Sequence, residues 1–186
     1  MRRVPGRRAF ASWLPSRNVR AMSQRASGIE VDATYWPLVI VVVSEILDAG
    51  SVADLIRRVD VLHQRREHFA TLVDTTAVKT LPRASERQAL AEWQNRTIEV
   101  IRRYNVVTAT VIENSLVRGV MTAMNWVFRP PNEQVSVASF REGLSICCDR
   151  LRAAGIPLGD ALAAAEARTP SSYRAMKTAS MFPPAL

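Results

Sequence analysis

The feature that most constrains this chain is the run Leu38-Val39-Ile40-Val41-Val42-Val43. Five of its six residues are β-branched, which stiffens χ1 and favours extended backbone over helix. The run has no polar face. A strand apolar on both sides must be covered on both sides, so it belongs inside a sheet clad in helices. At six residues it is far short of the roughly 18 needed to read as a membrane-spanning helix. A layered α/β domain follows, and the rest of the chain can be read against that requirement.

Ile29-Glu30-Val31-Asp32-Ala33 alternates apolar and polar, as a half-buried edge strand does. A short turn through Thr34–Pro37 makes it the antiparallel partner of the Leu38–Val43 run. Gly50-Ser51 then opens a helix with Ser51 as its N-cap. Val52, Leu55, Ile56, Val59 and Leu62 form its inner face, and Arg57, Arg58, Arg65 and Arg66 its outer one. Phe69–Val73 reads as a second apolar strand, ending at Asp74. After a loop containing Pro82, Ser85 and Gln88 suggest a capping box. The long helix that follows turns Leu90, Trp93, Thr97, Val100, Ile101 and Tyr104 inward. Val106–Ile112 is a further strand, and Ser115 caps a helix stopped by Arg129-Pro130-Pro131. Gln134–Ala138 alternates as a weaker edge strand. Ser139 then caps a helix with Phe140, Leu144, Cys147, Cys148 and Leu151 inward and Gly155 at its end. Residues 157–168 add an alanine-rich helix. Residues 169–186, rich in Ser, Pro and Ala without a period, read as a flexible tail.

The 186 residues suggest one domain with tails, at 29–153 plus the extra helix within 154–168. The net charge of +8 is unevenly placed: residues 1–28 hold seven arginines and no acid, and the remainder has 18 basic and 17 acidic side chains. Nucleic-acid binding is therefore expected only through the basic N-terminal arm. That stretch can be read as an arm, as a transit-like segment, or as residues ahead of a true start at Met22. Cys147 and Cys148 are adjacent, so a structural disulfide between them would be strained. They read as small hydrophobes in a reducing, cytoplasmic chain. His63 and His68 lack ligand spacing to them.

Strand, strand, helix, then alternating strands and helices predicts a single α/β domain. Its mixed, mostly parallel sheet has about five strands and begins with an antiparallel hairpin, with four to five helices packed around it. Together with Leu72-Val73-Asp74, Leu90-Ala91-Glu92-Trp93 and Leu116-Val117-Arg118-Gly119 through Trp126, this order resembles the STAS fold of anti-sigma-factor antagonists and anion-transporter tails. It is similar to small bacterial STAS/SEC14-like proteins such as those of myxobacteria. The resemblance spans roughly residues 29–153. It implies a regulatory, non-enzymatic module that binds a protein partner, with a homodimer left open. The alternative it implies is a SEC14-like carrier of a small molecule or lipid, for which Trp36, Trp93, Met121, Met124 and Trp126 are candidate lining residues, with Trp36 the best candidate for an exposed aromatic contact. Antagonists of this family carry a phosphorylatable Ser in an Asp-Ser-Ser-Gly-like turn. Ser85 stands near that place as a candidate phosphoswitch, but the Asp and Gly are absent.

Ligands of open α/β sheets gather beyond the carboxyl ends of the strands. That rule selects a rim of Asp74, Thr75, Thr76, Glu113, Asn114, Ser115 and Arg118, with Arg118 in reach of Asp74 or Glu113. Glu45, Asp74 and Glu113 are the acids of a less favoured carboxylate-dependent enzyme, which lacks a nucleophile or His on the rim. No cofactor or metal is expected.

Overall fold

The computed structural model describes residues 28–79, 82–113 and 130–181. It is an α/β fold with a five-stranded mixed sheet in the order β1-β2-β3-β4-β5. The strands are β1 (Ile29–Asp32), β2 (Leu38–Val43), β3 (Phe69–Asp74), β4 (Asn105–Val111) and β5 (Glu133–Val137). The hairpin is antiparallel, with Ile29 opposite Val43 and Asp32 opposite Ile40. All other pairs are parallel. The both-face-apolar run is thus an interior strand between β1 and β3, as its composition requires.

Five helices are described: α1 (Ala49–His63), α2 (Ala84–Tyr104), α3 (Phe140–Ala153), α4 (Asp160–Ala167) and α5 (Tyr173–Met181). α3, α4 and α5 cover one sheet face. There Leu72, Val107, Ala109 and Val111 meet Leu144, Cys147, Cys148 and Leu151 in a dry core. α3 lies so close that a Cβ on Gly143 would fall 2.5 Å from Leu72 Cδ1. The other face meets α1 and α2 through Ile29, Val39, Val41, Leu62 and Phe69.

Three local expectations need correction. α1 is capped by Asp48, whose Oδ1 accepts from Ser51 N at 2.8 Å and from Ser51 Oγ at 2.7 Å. A carboxylate suits the positive end of a helix better than a hydroxyl. Ser51 instead sits buried in the first turn and accepts from Gly28 N at 3.0 Å. α2 begins one residue before Ser85. Its N-cap is Arg83, which makes no side-chain cap hydrogen bond, and Ser85 is an exposed first-turn residue. The segment 169–186 contains α5, with Tyr173 and Met176 buried, so its first half is not a mobile tail.

Ser139 does cap α3, accepting from Glu142 N at 3.2 Å. Both cysteines on α3 are buried and free. Burial pushes each thiol up to about 12, with Cys148 next to Cys147 and Glu166 next to Cys148 adding to it. At pH 8 the thiolate fraction is then about one in ten thousand. Native protein is expected to leave an aromatic disulfide reagent unreduced at that pH, and unfolded protein to react at both thiols. Fast reaction of the native state, followed by absorbance, would contradict this burial.

A cavity beneath the first two helices and the strand-end rim

The two sheet faces differ in chemistry. The face under α3 is apolar at Leu72, Val107, Ala109, Val111 and Val137. The face under α1 and α2 is apolar on β1 and β2 but carries Thr71, Thr108, Thr110 and Gln134 on β3 to β5. These side chains, with Asn105, line a cavity of about 280 Å³. Its apolar side includes Ile29, Val39, Val41, Leu55, Val59 and Leu62.

Asn105 reaches this face through an irregularity in pairing. Phe69 pairs with Asn105, but Thr71, two residues on, pairs with Thr108, three residues on. The extra residue on β4 lets positions three apart share a face, which a regular strand with its period of two does not allow. Asn105 Nδ2 accordingly donates to Thr71 Oγ1 and Thr108 Oγ1, both at 3.1 Å. Asn132 Nδ2 donates to Thr108 Oγ1 at 3.1 Å, and Gln134 Nε2 to Asn132 Oδ1 at 2.8 Å. A chain of neutral amides and hydroxyls thus runs across the amino ends of β3, β4 and β5.

The helical wall opposite is aromatic. The His63 ring stacks on Trp93 with centroids 5.8 Å apart and planes 4° from parallel, and lies 5.9 Å from Phe69. Trp93 Nε1 donates to Asp60 Oδ1 at 2.8 Å, which fixes the indole between α1 and α2. Desolvation lowers the pKa of His63, Asp60 opposes the shift and Arg66 adds to it, so the ring is neutral at neutral pH.

Two cavity-lining residues carry a buried polar atom with no partner: Nδ1 of His63, 7% exposed, and Oδ1 of Asn105, 8% exposed. Leaving a buried polar atom unpaired costs about 1–3 kcal/mol, so each calls for a partner of some kind. Glu86 Oε2, on the first turn of α2, is a third such atom but lies outside the cavity lining.

The rim adjoins the cavity at Thr75, which is among its lining residues. Asp74 Oδ1 accepts from Thr76 N at 3.0 Å and Thr76 Oγ1 at 2.7 Å, closing a turn. Thr75 is buried and its Oγ1 donates to Val111 O at 2.5 Å. Glu45 Oε1 takes Lys79 Nζ at 2.6 Å. Glu113 is exposed just beyond β4. The structure brings Asp74, Thr75 and Thr76 together, while Asn114, Ser115 and Arg118 lie outside the described residues, as do Met121, Met124 and Trp126. Trp36, expected as an exposed contact, is half-buried. It stacks on Phe69 at 5.9 Å with the Arg65 guanidinium 4.5 Å from its ring, because Phe69 offers it an apolar surface. Trp93 does line the cavity.

His63, Asn105, Thr71, Thr108, Asn132 and Gln134 are absent from the site read off the sequence. A signal was present in Thr108-Ala109-Thr110, polar at alternate positions of an otherwise apolar strand. Among the described residues, no group of three or more His, Cys, Asp or Glu side chains could hold a metal ion, and no helix is long and apolar enough to cross a membrane. No family model and no curated protein matches the chain.

Proposed function

We propose that this α/β domain binds a small molecule in the cavity between α1, α2 and the sheet. The observation that carries the reading is a space of about 280 Å³ lined by Val39, Val41, Val59 and Leu62 together with the polar side chains of Thr71, Thr108 and Asn105. Largely apolar pockets with a few placed polar groups are the usual form of small-molecule sites. The volume lies just under the range of about 300–1,000 Å³ such sites span, and it is too small for a two-chain lipid. Of the two sides of the STAS/SEC14-like resemblance, this favours the carrier. The protein-docking side rests on a rim in which Asp74 bonds Thr76 and Thr75 bonds the Val111 carbonyl, and whose Thr75 also lines the cavity.

Thermal unfolding with p-xylene or 1-naphthol tests the reading. A ligand at a hundred times its Kd stabilises by about 2.7 kcal/mol, or about 5–10 °C in Tm for a domain of this size. Val59→Phe, which directs a ring into the cavity from α1, is expected to abolish the shift without unfolding the protein. Failure of both probes to shift wild-type Tm, or an unchanged shift in Val59→Phe, would overturn the proposal.

A further inference from the structure

We infer that the amino-terminal edge of the sheet, on the side of α1 and α2, is a surface for single-stranded nucleic acid, held by Arg65, Arg66 and Arg103. The inference goes beyond the cavity reading, since none of these side chains lines the cavity.

The three arginines differ from their neighbours. On α1 and α2, Arg57 and Arg58 pair with Asp54, Arg96 with Asp60 and Arg102 with Glu99. Arg65, Arg66 and Arg103 are exposed and make no ion pair among the described residues, which include all 17 acidic side chains of the chain. Arg66 also has a φ of 55°, in the left-handed region where glycine is the default after a helix. An arginine there carries backbone strain that a glycine would not, and such outliers gather where a side chain has a use.

Aromatic rings hold two of the three in place. The Arg65 guanidinium lies 4.5 Å from the Trp36 ring centre, and that of Arg103 lies 5.5 Å from the centre of Tyr104. Trp36 stacks on Phe69, and the exposed His68 ring meets Tyr104 edge-on at 5.7 Å, so these groups form one row. Trp36 precedes β2 and Tyr104 precedes β4, two strand spacings away, or about 10 Å. One phosphate cannot bridge that distance, so the partner must carry several. A guanidinium resting on a ring keeps its N–H edge for a phosphate and its outer plane for a base. An acidic peptide would use the edges and leave the planes bare, whereas a single strand uses both. Trp36 and Tyr104 are themselves half-buried, so the row offers a bilayer little apolar surface.

Anisotropy titrations of a labelled oligothymidylate of about a dozen nucleotides with the full chain test this. Each phosphate contact on a single strand adds about 0.7 to the salt exponent, so in about 0.1 M salt losing one weakens binding about fivefold and losing three about a hundredfold. Arg65→Gln, Arg66→Gly and Arg103→Gln combined are expected to weaken binding by that larger factor and to lower the salt slope by about 2. Arg57→Gln with Arg58→Gln removes charge from ion-paired residues of α1 and is expected to leave the affinity unchanged. Arg66→Gly alone is expected to raise the urea midpoint while weakening binding, which separates a lost contact from a lost fold. Full affinity in the triple variant would place binding on the seven arginines of residues 1–28 and overturns the inference. An equal loss in the Arg57/Arg58 variant, equal affinity for inorganic polyphosphate, or binding to anionic-lipid vesicles without binding to the oligonucleotide overturns it as well.

Discussion

Leu72→Ala and Gly143→Ala are each expected to destabilise the protein, and to cost less together than the sum of the two. Leu72 is fully buried at the middle of β3, under α3. Its truncation removes a core isobutyl group and leaves a void, a change worth about 2–5 kcal/mol. Gly143→Ala would ordinarily help α3 by about 1 kcal/mol of helix propensity. Here the new methyl would meet Leu72 Cδ1 at 2.5 Å and Val137 Cγ2 at 3.3 Å. A leucine tip can swing aside on a surface, but this one is walled in by β4 and α3. Overpacking of about 1–3 kcal/mol therefore outweighs the propensity gain. In the double variant the alanine methyl enters space that Leu72 Cδ1 vacated, so clash and void cancel in part. Urea denaturation of the four proteins should give a coupling of about 1 kcal/mol or more in the favourable direction. Additivity within about 0.5 kcal/mol would mean that α3 does not pack on β3 at this distance.

The architecture was legible because it rests on local, periodic signals. Leu38–Val43 has no polar face and can only be an interior strand, and Phe140, Leu144, Cys147 and Leu151 repeat at helical spacing. What escaped depends on pairing partners far away in sequence. Asn105 looks like the end of α2, and its backbone N–H does bond to Ile101 O there. Only the irregular register with β3 turns its side chain onto the face of Thr71 and Thr108. The strand-end rule directed attention to Asp74 and Glu113, whereas the unpartnered amide lies at the amino ends of the strands. That rule describes ligands held in the crevice at a sheet's carboxyl edge. It is silent on a cavity that runs back between the helices and the sheet. Trp93 was legible as a candidate lining residue, because a large aromatic on an inner helix face must pack against something. That the something includes His63 and a void could not be read from spacing.

α5 was illegible for the same reason, and it supports the second large effect: removing residues 169–186 is expected to cost about 3–6 kcal/mol, the worth of two buried side chains of the size of Tyr173 and Met176. Neither the short amphipathic segment nor the Ser-Pro stretch before it would hold a helix alone. Its order comes from docking. Met176 is fully buried in the core under α3, and Tyr35 Oη donates to Met176 O at 3.4 Å. Tyr173 Oη reaches Glu30 Oε1 at 2.8 Å and Asp32 Oδ2 at 3.0 Å on the edge strand β1, and Lys177 Nζ reaches Glu30 Oε1 at 2.6 Å. Tyr173→Phe alone should cost about 0.5–1.5 kcal/mol, the net worth of one hydrogen bond, since Glu30 is exposed and keeps Lys177. The same contacts set a pH dependence. The hydrogen bond from Lys177 holds the Glu30 carboxyl below its usual range. A depressed folded-state pKa stabilises above the unfolded value and ceases to do so as pH falls through the folded one, so this contribution is lost below about pH 4. Burial, then the bonds to Glu30 and Asp32, raises the Tyr173 phenol. Its contribution is complete below the unfolded value of about 10 and is lost as pH rises through the raised one. Wild type should therefore lose more stability than the truncated protein at both extremes, read as the shift in urea midpoint from pH 7. Equal midpoints for the full and truncated chains at pH 7 would show that α5 does not hold the edge of the sheet.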